Sequence, residues 1–404
     1  MERTDGPLSG TRRFWTDNAA LGLATVVAGL FNSAYSVLLA HALGPNDYGR
    51  IGALNNLVSL FLLPLPIVGL AAIRVGRQLG RQRFLVWSSL GLGVLIFVLA
   101  VVLSPMLARQ FGLSPALIIL YAFSVILNFG YALYIGFLKR ARRYGVVGLL
   151  LVLASASAVL AVAVGVTLGH AHPLIWMGVL QGIFVVLMFF LTRWMAESVP
   201  TLPPAHLRPE VVTTTLGVGT LQALWGFSDV LAAKANLSVT DAGLYTGLST
   251  IGQALPFFVG SLATVMLTAV LDEPRRRRAF LTRTLLATIG LSALFIGVLL
   301  AFPVPVVRLA LGSAFVPMAP LVQRYSDAMA AMGLVLVLTT YGVAVGTYRT
   351  MVPAALGTIF WLAWIVSADS MTTLVNRTLV AMVATFIGVA VAFIAGRETT
   401  RSPH

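Results

Sequence analysis

The stretch IGALNNLVSLFLLPLPIVGLAAIRVGRQLGRQR, residues 51–83, decides the fold. Its first part, 51–73, carries no ionisable side chain, and the remainder packs Arg74, Arg77, Arg81 and Arg83 close together. A helix needs about 20 apolar residues to cross the hydrocarbon core. Basic residues flanking such a helix stay on the cytoplasmic side. The stretch therefore reads as one membrane crossing that runs from the outer face inwards and ends on a cytoplasmic basic loop.

Moving outward from it, the pattern recurs. Lys139, Arg140, Arg142 and Arg143 follow a later apolar run, and Arg275, Arg276, Arg277, Arg278 and Arg283 follow another. Arg3, Arg12 and Arg13 lie before the first run and Arg397 and Arg401 after the last, while Arg193, Arg208 and Arg349 complete the same side. The opposite connections hold only Arg50, Arg109, Arg308 and Arg377, and Lys234 and Arg324 fall inside spans. Both termini are thus expected in the cytoplasm, which requires an even number of crossings. The spans are placed at 17–43, 51–73, 85–108, 116–138, 146–168 and 174–195, then 211–236, 244–270, 281–302, 318–346, 351–368 and 378–396. The expected architecture is all-α: a polytopic integral membrane protein of about twelve transmembrane helices, arranged as two six-helix lobes. The lobes are assigned to 1–196 and 211–404, with a polar cytoplasmic linker at 197–210 that carries Pro200, Pro203, Pro204 and Pro209.

Composition agrees and narrows the function classes. The chain has 404 residues, 58% hydrophobic and 10% charged, against about 25% charged in soluble domains. The net charge of +14 belongs to cytoplasmic loops and reflects topology rather than nucleic-acid binding. With no cysteine there is no disulfide or thiol chemistry. No cleavable signal peptide stands out before the first span. Lysine occurs only at Lys139 and Lys234, an arginine bias that fits a GC-rich bacterial genome and a plasma-membrane location. No phosphate loop, zinc spacing or nucleophile elbow is present. The longest outer connection, 303–317, is too short for a catalytic domain, so an enzyme is not expected.

The halves resemble each other. Asn46-Asp47-Tyr48-Gly49 aligns with Thr240-Asp241-Ala242-Gly243 at an offset close to half the chain, placing Asp47 on Asp241 and Gly52 near Gly247. Repeats of six helices are parallel, related by an axis along the membrane normal. Read locally, the same residues form an outer turn, with Asp as cap and Gly for the bend. Pro64 and Pro66 interrupt the second span and Pro256 the eighth at nearly the corresponding place, which points to bent helices around a central site.

Ionisable groups inside spans are costly and tend to face a cavity or a partner. Span seven carries Asp229 and Lys234, and span ten carries Arg324 and Asp327. Arg324 and Asp327 are three apart and share a helix face. Lys234 and Arg324 are candidate anion contacts, with Asp229 and Asp327 orienting them or carrying a coupling proton. Asn32 in span one is a further polar candidate, and Arg50 and Arg74 are the bases that would serve the first half. In the alternative, Lys234 and Arg324 snorkel to the interface from span ends.

The segment LLAHALGPNDYGRIGALNNLVSLFLLPLPIVGLAAIRVGRQ (38–78), with the turn Leu43-Gly44-Pro45-Asn46-Asp47-Tyr48-Gly49 and then Gly69-Leu70 and Arg74, resembles the opening of Wzx-type oligosaccharide flippases of the MOP, or MATE-like, superfamily. The segments 227–266, with Asp229 and the Ala242–Tyr245 turn, and 303–323 resemble that family's second half. The resemblance implies two six-helix lobes and alternating access. It implies movement of an undecaprenyl-pyrophosphate-linked oligosaccharide from the cytoplasmic to the outer leaflet, for cell-surface polysaccharide synthesis. Lys234 and Arg324 would contact the pyrophosphate, and a proton or sodium ion would serve for coupling, with no other cofactor and no metal. Its partners would be the lipid-linked glycan, membrane lipids, and the polymerase or glycosyltransferases of the pathway. One departure is that span one lacks the embedded Arg that some lipid-pyrophosphate flippases use. The competing readings are an ion-coupled multidrug or cation exporter of the same superfamily, which calls for acidic groups in the cavity, and a non-transporting scaffold.

Overall fold

The computed structural model describes residues 7–75, 79–141, 143–168, 172–198 and 209–398, and among them there is no β-strand. Most of the expected linker, the chain termini and the side chains of Asp17, Arg74 and Arg208 lie outside the described residues.

The first helix, α1 (Pro7–Phe61), is two helices joined at Gly44, whose φ of 66° and ψ of 177° are non-helical. Glycine adopts this positive φ without the Cβ penalty, and Pro45 then opens the second arm, where its missing N–H costs nothing. The second arm stops at a turn around Pro64 and continues as α2 (Leu65–Val75). The corresponding crossing in the second half is broken in the same way, into α8 (Val239–Gly252) and α9 (Ala254–Asp272), with Gln253 at the break and Pro256 in the first turn beyond it. The prolines thus mark both interruptions, as expected. The residues read as an outer turn behave differently. Asn46 to Gly49 are already helical, and Ser238 rather than Asp241 caps α8, its hydroxyl accepting from the Asp241 N–H at 3.1 Å. The glycines in this motif serve close helix contact, not a bend.

The remaining helices are α3 (Leu79–Phe111), α4 (Pro115–Arg140), α5 (Tyr144–Leu168), α6 (Pro173–Glu197), α7 (Pro209–Asn236), α10 (Arg277–Ala301), α11 (Pro303–Leu311), α12 (Ala319–Val345), α13 (Met351–Ile365) and α14 (Met371–Glu398). By length and apolarity alone, 9 described helices qualify to cross a membrane. That test merges the two arms of α1 and omits α7 and the 15-residue α13. Restoring these gives about twelve crossings. The chain is a multi-pass, all-α membrane protein.

Its contacts divide into two compact units. The first comprises Met1–Leu38, Pro64–Ala108 and Leu113–Leu207, and the second Leu39–Leu63, Arg109–Gly112 and Arg208–His404. In the first unit α4 packs between α2 and α6, and α5 lies on α6. Backbones approach closely at small residues: a Cβ at Gly93 would lie 2.9 Å from Ile126 Cα. Such contacts replace the hydrophobic drive that lipid does not supply between helices. In the second unit α12 is the central helix, packed by α9, α10 and α14. Some 72% of its most apolar window is buried, against 17–44% for the other spans. Buried indoles are satisfied across helices, Trp225 Nε1 donating to Thr358 Oγ1 at 2.9 Å and Trp361 Nε1 to Thr378 Oγ1 at 3.2 Å. Outward, large apolar side chains such as Phe84, Trp87, Leu294 and Ile359 stay exposed, as helices in hydrocarbon require.

Candidate functional site

Within the second unit, the second arm of α1 crosses α8 at the aligned motif itself. Thr240 Oγ1 donates to Asn46 Oδ1 at 3.1 Å, the two residues being 194 positions apart. At the same offset, a Cβ on Gly49 would meet Gly243 Cα at 2.8 Å and one on Gly52 would strike the Thr246 side chain, while a Cβ on Gly243 would strike the Pro45 carbonyl. Tyr48 reinforces the crossing, its hydroxyl 2.7 Å from Thr250 Oγ1 and its ring edge-on to Phe315 at 5.4 Å.

Beside this crossing sits a charged group. Arg50 pairs with Asp47 at 2.9 Å, and Lys234 lies within electrostatic range of both. Lys234 ends α7, where the helix dipole favours a cation. It is only 7% exposed. Two candidate anion contacts thus lie near one carboxylate, Arg50 paired with it and Lys234 within electrostatic range.

Deeper in α7, Asp229 is fully buried. Tyr325 Oη donates to its Oδ2 at 2.5 Å and Tyr245 Oη to the same oxygen at 3.1 Å, while the Val230 N–H reaches Oδ1 at 2.8 Å. The two tyrosine rings stand edge to face at 5.8 Å, and Tyr325 Oη is 3.1 Å from Ser249 Oγ. One turn before Asp229, Gln253 at the break between α8 and α9 donates to the Trp225 carbonyl at 3.1 Å. The broken helix is thus tied to the backbone next to the buried acid. Among the described residues no base contacts Asp229, whose carboxyl takes its hydrogen bonds from the two tyrosines and the Val230 N–H.

The other candidates lie apart. Arg324 is exposed and Asp327 half-buried on α12, with no ion pair between them among the described residues. Asn32 is exposed on the first arm of α1, in the first unit, its carbonyl accepting from Ser36 Oγ. For Arg74 only the helical backbone is described. The inward face of α12 is instead Val322, Tyr325, Ser326 and Met329. Charge drew attention to Arg324 and Asp327, whereas helical periodicity on the same segment would have found Tyr325. Among the described residues no cluster of His, Cys, Asp and Glu suits a metal ion.

No protein-family model matches the chain, and no curated protein matches its sequence. Solved structures do match in fold. One is the lipid II flippase MurJ in an inward closed conformation, with a TM-score of 0.69 at 13% identity over 93% of this chain and 87% of that one. Another is an outward-facing multidrug resistance MATE family transporter of the MOP superfamily, with a TM-score of 0.64 at 12% identity over 95% of each. A third is the MATE multidrug transporter DinF-BH in complex with R6G, with a TM-score of 0.66 at 14% identity over 96% of each. At these identities the likeness shows the fold, which the chain shares with these MurJ and MATE structures.

Proposed function

We propose that this chain is a transporter that carries a lipid-pyrophosphate-linked oligosaccharide from the cytoplasmic to the outer leaflet by alternating access, in a bacterial plasma membrane with both termini cytoplasmic. The observation that carries the reading is the buried Lys234 beside Arg50 and Asp47. Two fixed cations against one carboxylate give a net positive site, which suits a pyrophosphate and repels a cationic drug. Similarity in fold to a lipid II flippase supports the same cargo class.

Under this reading the helix crossing at Gly49 and Gly243 closes the pathway on the outer side, and its loosening accompanies release. Arg324, exposed on the central helix, is a second anion contact, and Asp327 sets its local field. Asp229 is enclosed by tyrosines and unreachable by a bulky cargo, so its role is coupling, by taking up and releasing a proton or a small cation. The exporter reading draws on this same carboxyl, and it predicts drug efflux that depends on Asp229 and is indifferent to Lys234.

The test is the leaflet distribution of lipid-linked glycans in a deletion strain, complemented with wild type, Lys234→Ala or Arg324→Ala. Intermediates should accumulate on the cytoplasmic leaflet and be cleared only by the wild type, with the variants inserted normally. An unchanged distribution in the deletion strain, with no second flippase present, refutes the proposal.

A further inference from the structure

The first unit holds a cavity that the transport reading leaves unused. It lies between α4, α5 and α6, measures about 90 Å³, and is lined by Asn128, Tyr131, Ser157, Gln181 and Phe184 with small or apolar neighbours. Asn128 and Ser157 lie near the midpoints of α4 and α5, and hence near mid-bilayer depth. Polar groups at that depth require partners. Asn128 donates one amide hydrogen to the Ser124 carbonyl at 2.9 Å, and Ser157 donates to the Ala154 carbonyl at 2.8 Å. That leaves Asn128 Oδ1 and its second N–H, the Ser157 lone pairs, the whole Gln181 amide and the Tyr131 hydroxyl without partners among the described residues.

This inventory is selective. No Asp, Glu, Lys or Arg lines the cavity, so it offers neither the fixed positive charge an anion needs nor the carboxylate an organic cation needs. Neutral donors and acceptors are interspersed, which suits hydroxyl groups that both give and receive hydrogen bonds. The Tyr131 and Phe184 rings add apolar faces on which the C–H face of a ring can rest. The volume is well below the roughly 300–1,000 Å³ of whole-ligand sites and below the roughly 150 Å³ cavity that holds a benzene ring, so the partly open cavity takes the hydroxyl-bearing edge of a single ring rather than a chain. We propose that this cavity binds one uncharged sugar ring, which under the transport reading above is one residue of the lipid-linked glycan.

The chain contains no cysteine, so Ala158→Cys supplies a single reporter at the cavity wall. The full-length protein in lipid nanodiscs would be labelled with a maleimide in the presence of glucose, N-acetylglucosamine, glucuronate, inorganic pyrophosphate or rhodamine 6G. A neutral sugar should slow labelling about tenfold when present at ten times its dissociation constant. The charged probes should change the rate less than about twofold, the effect of a ligand held at no more than its dissociation constant. Gln181→Leu and Asn128→Leu should each abolish the protection without altering the unprotected rate. No protection by either neutral sugar, or equal protection by glucuronate or rhodamine 6G, overturns the assignment. The leaflet assay is independent of this one. Protection by sugar with a normal glycan distribution in the deletion strain refutes flipping and leaves the sugar site standing. Trapped glycan without protection refutes the sugar site alone.

Discussion

Replacing Gly49 with alanine puts two effects of opposite sign in competition. In an isolated helix the change would stabilise by about 1 kcal/mol, because glycine is the poorer helix former. At the crossing, however, the new Cβ would lie 2.8 Å from Gly243 Cα and 3.0 Å from its nitrogen. Carbon contacts are optimal at about 3.5–4.0 Å, so the two helices must part by about 1 Å. Both partners are backbone atoms and have no rotamer into which to escape. Overpacking of this kind costs about 1–3 kcal/mol, which weakens the crossed arrangement by about 5- to 150-fold. The assay uses the hydrogen-bonded pair Asn46 and Thr240. With Asn46→Cys and Thr240→Cys in the cysteine-free chain, oxidation should join them while the helices are crossed. Adding Gly49→Ala should slow that disulfide by the same factor. An unchanged or faster rate in correctly inserted protein would mean that helix propensity outweighs contact, and the packed crossing would be refuted.

Three further variants probe the buried cluster and the core of the second unit. Asp229→Ala removes the carboxyl acceptor of Tyr245 Oη and of Tyr325 Oη, which retains Ser249 Oγ, at about 1–3 kcal/mol, and should lower the melting temperature. Asp229→Asn keeps an acceptor and should melt near wild type while losing ion-dependent transport, and full transport by the Asn variant would remove the coupling role. Trp225→Phe orphans little, since Thr358 also donates to the Ala354 carbonyl. A loss of about 1 kcal/mol is expected by denaturant titration, and a loss several times larger would indicate that the indole supports more than this bond.

Much of the fold was legible because membrane topology is written in local composition. Apolar length and the side on which arginines gather need no tertiary knowledge, and Pro64 and Pro256 marked both broken helices correctly. The site was less legible. The motif around Gly49 and Gly243 was recognisable, but the chain turns at Gly44 and Ser238, just before these glycines, which serve helix contact instead. A glycine that bends a chain and one that admits a neighbouring helix look the same in sequence. Asp229 stood out as an embedded charge, whereas its partners Tyr245 and Tyr325 look like ordinary aromatic residues of apolar spans.

The sequence by itself determined that the chain is an all-α, multi-pass membrane protein, because hydrocarbon imposes its conditions on each helix separately. Tertiary structure alone decided which polar residues meet. It placed Lys234 within electrostatic range of Arg50 and Asp47, enclosed Asp229 between two tyrosines, and left Arg324 and Asp327 with no ion pair to each other among the described residues. Those outcomes depend on the rotation and crossing of helices distant in sequence, which small residues such as Gly49 and Gly243 permit and no single span encodes.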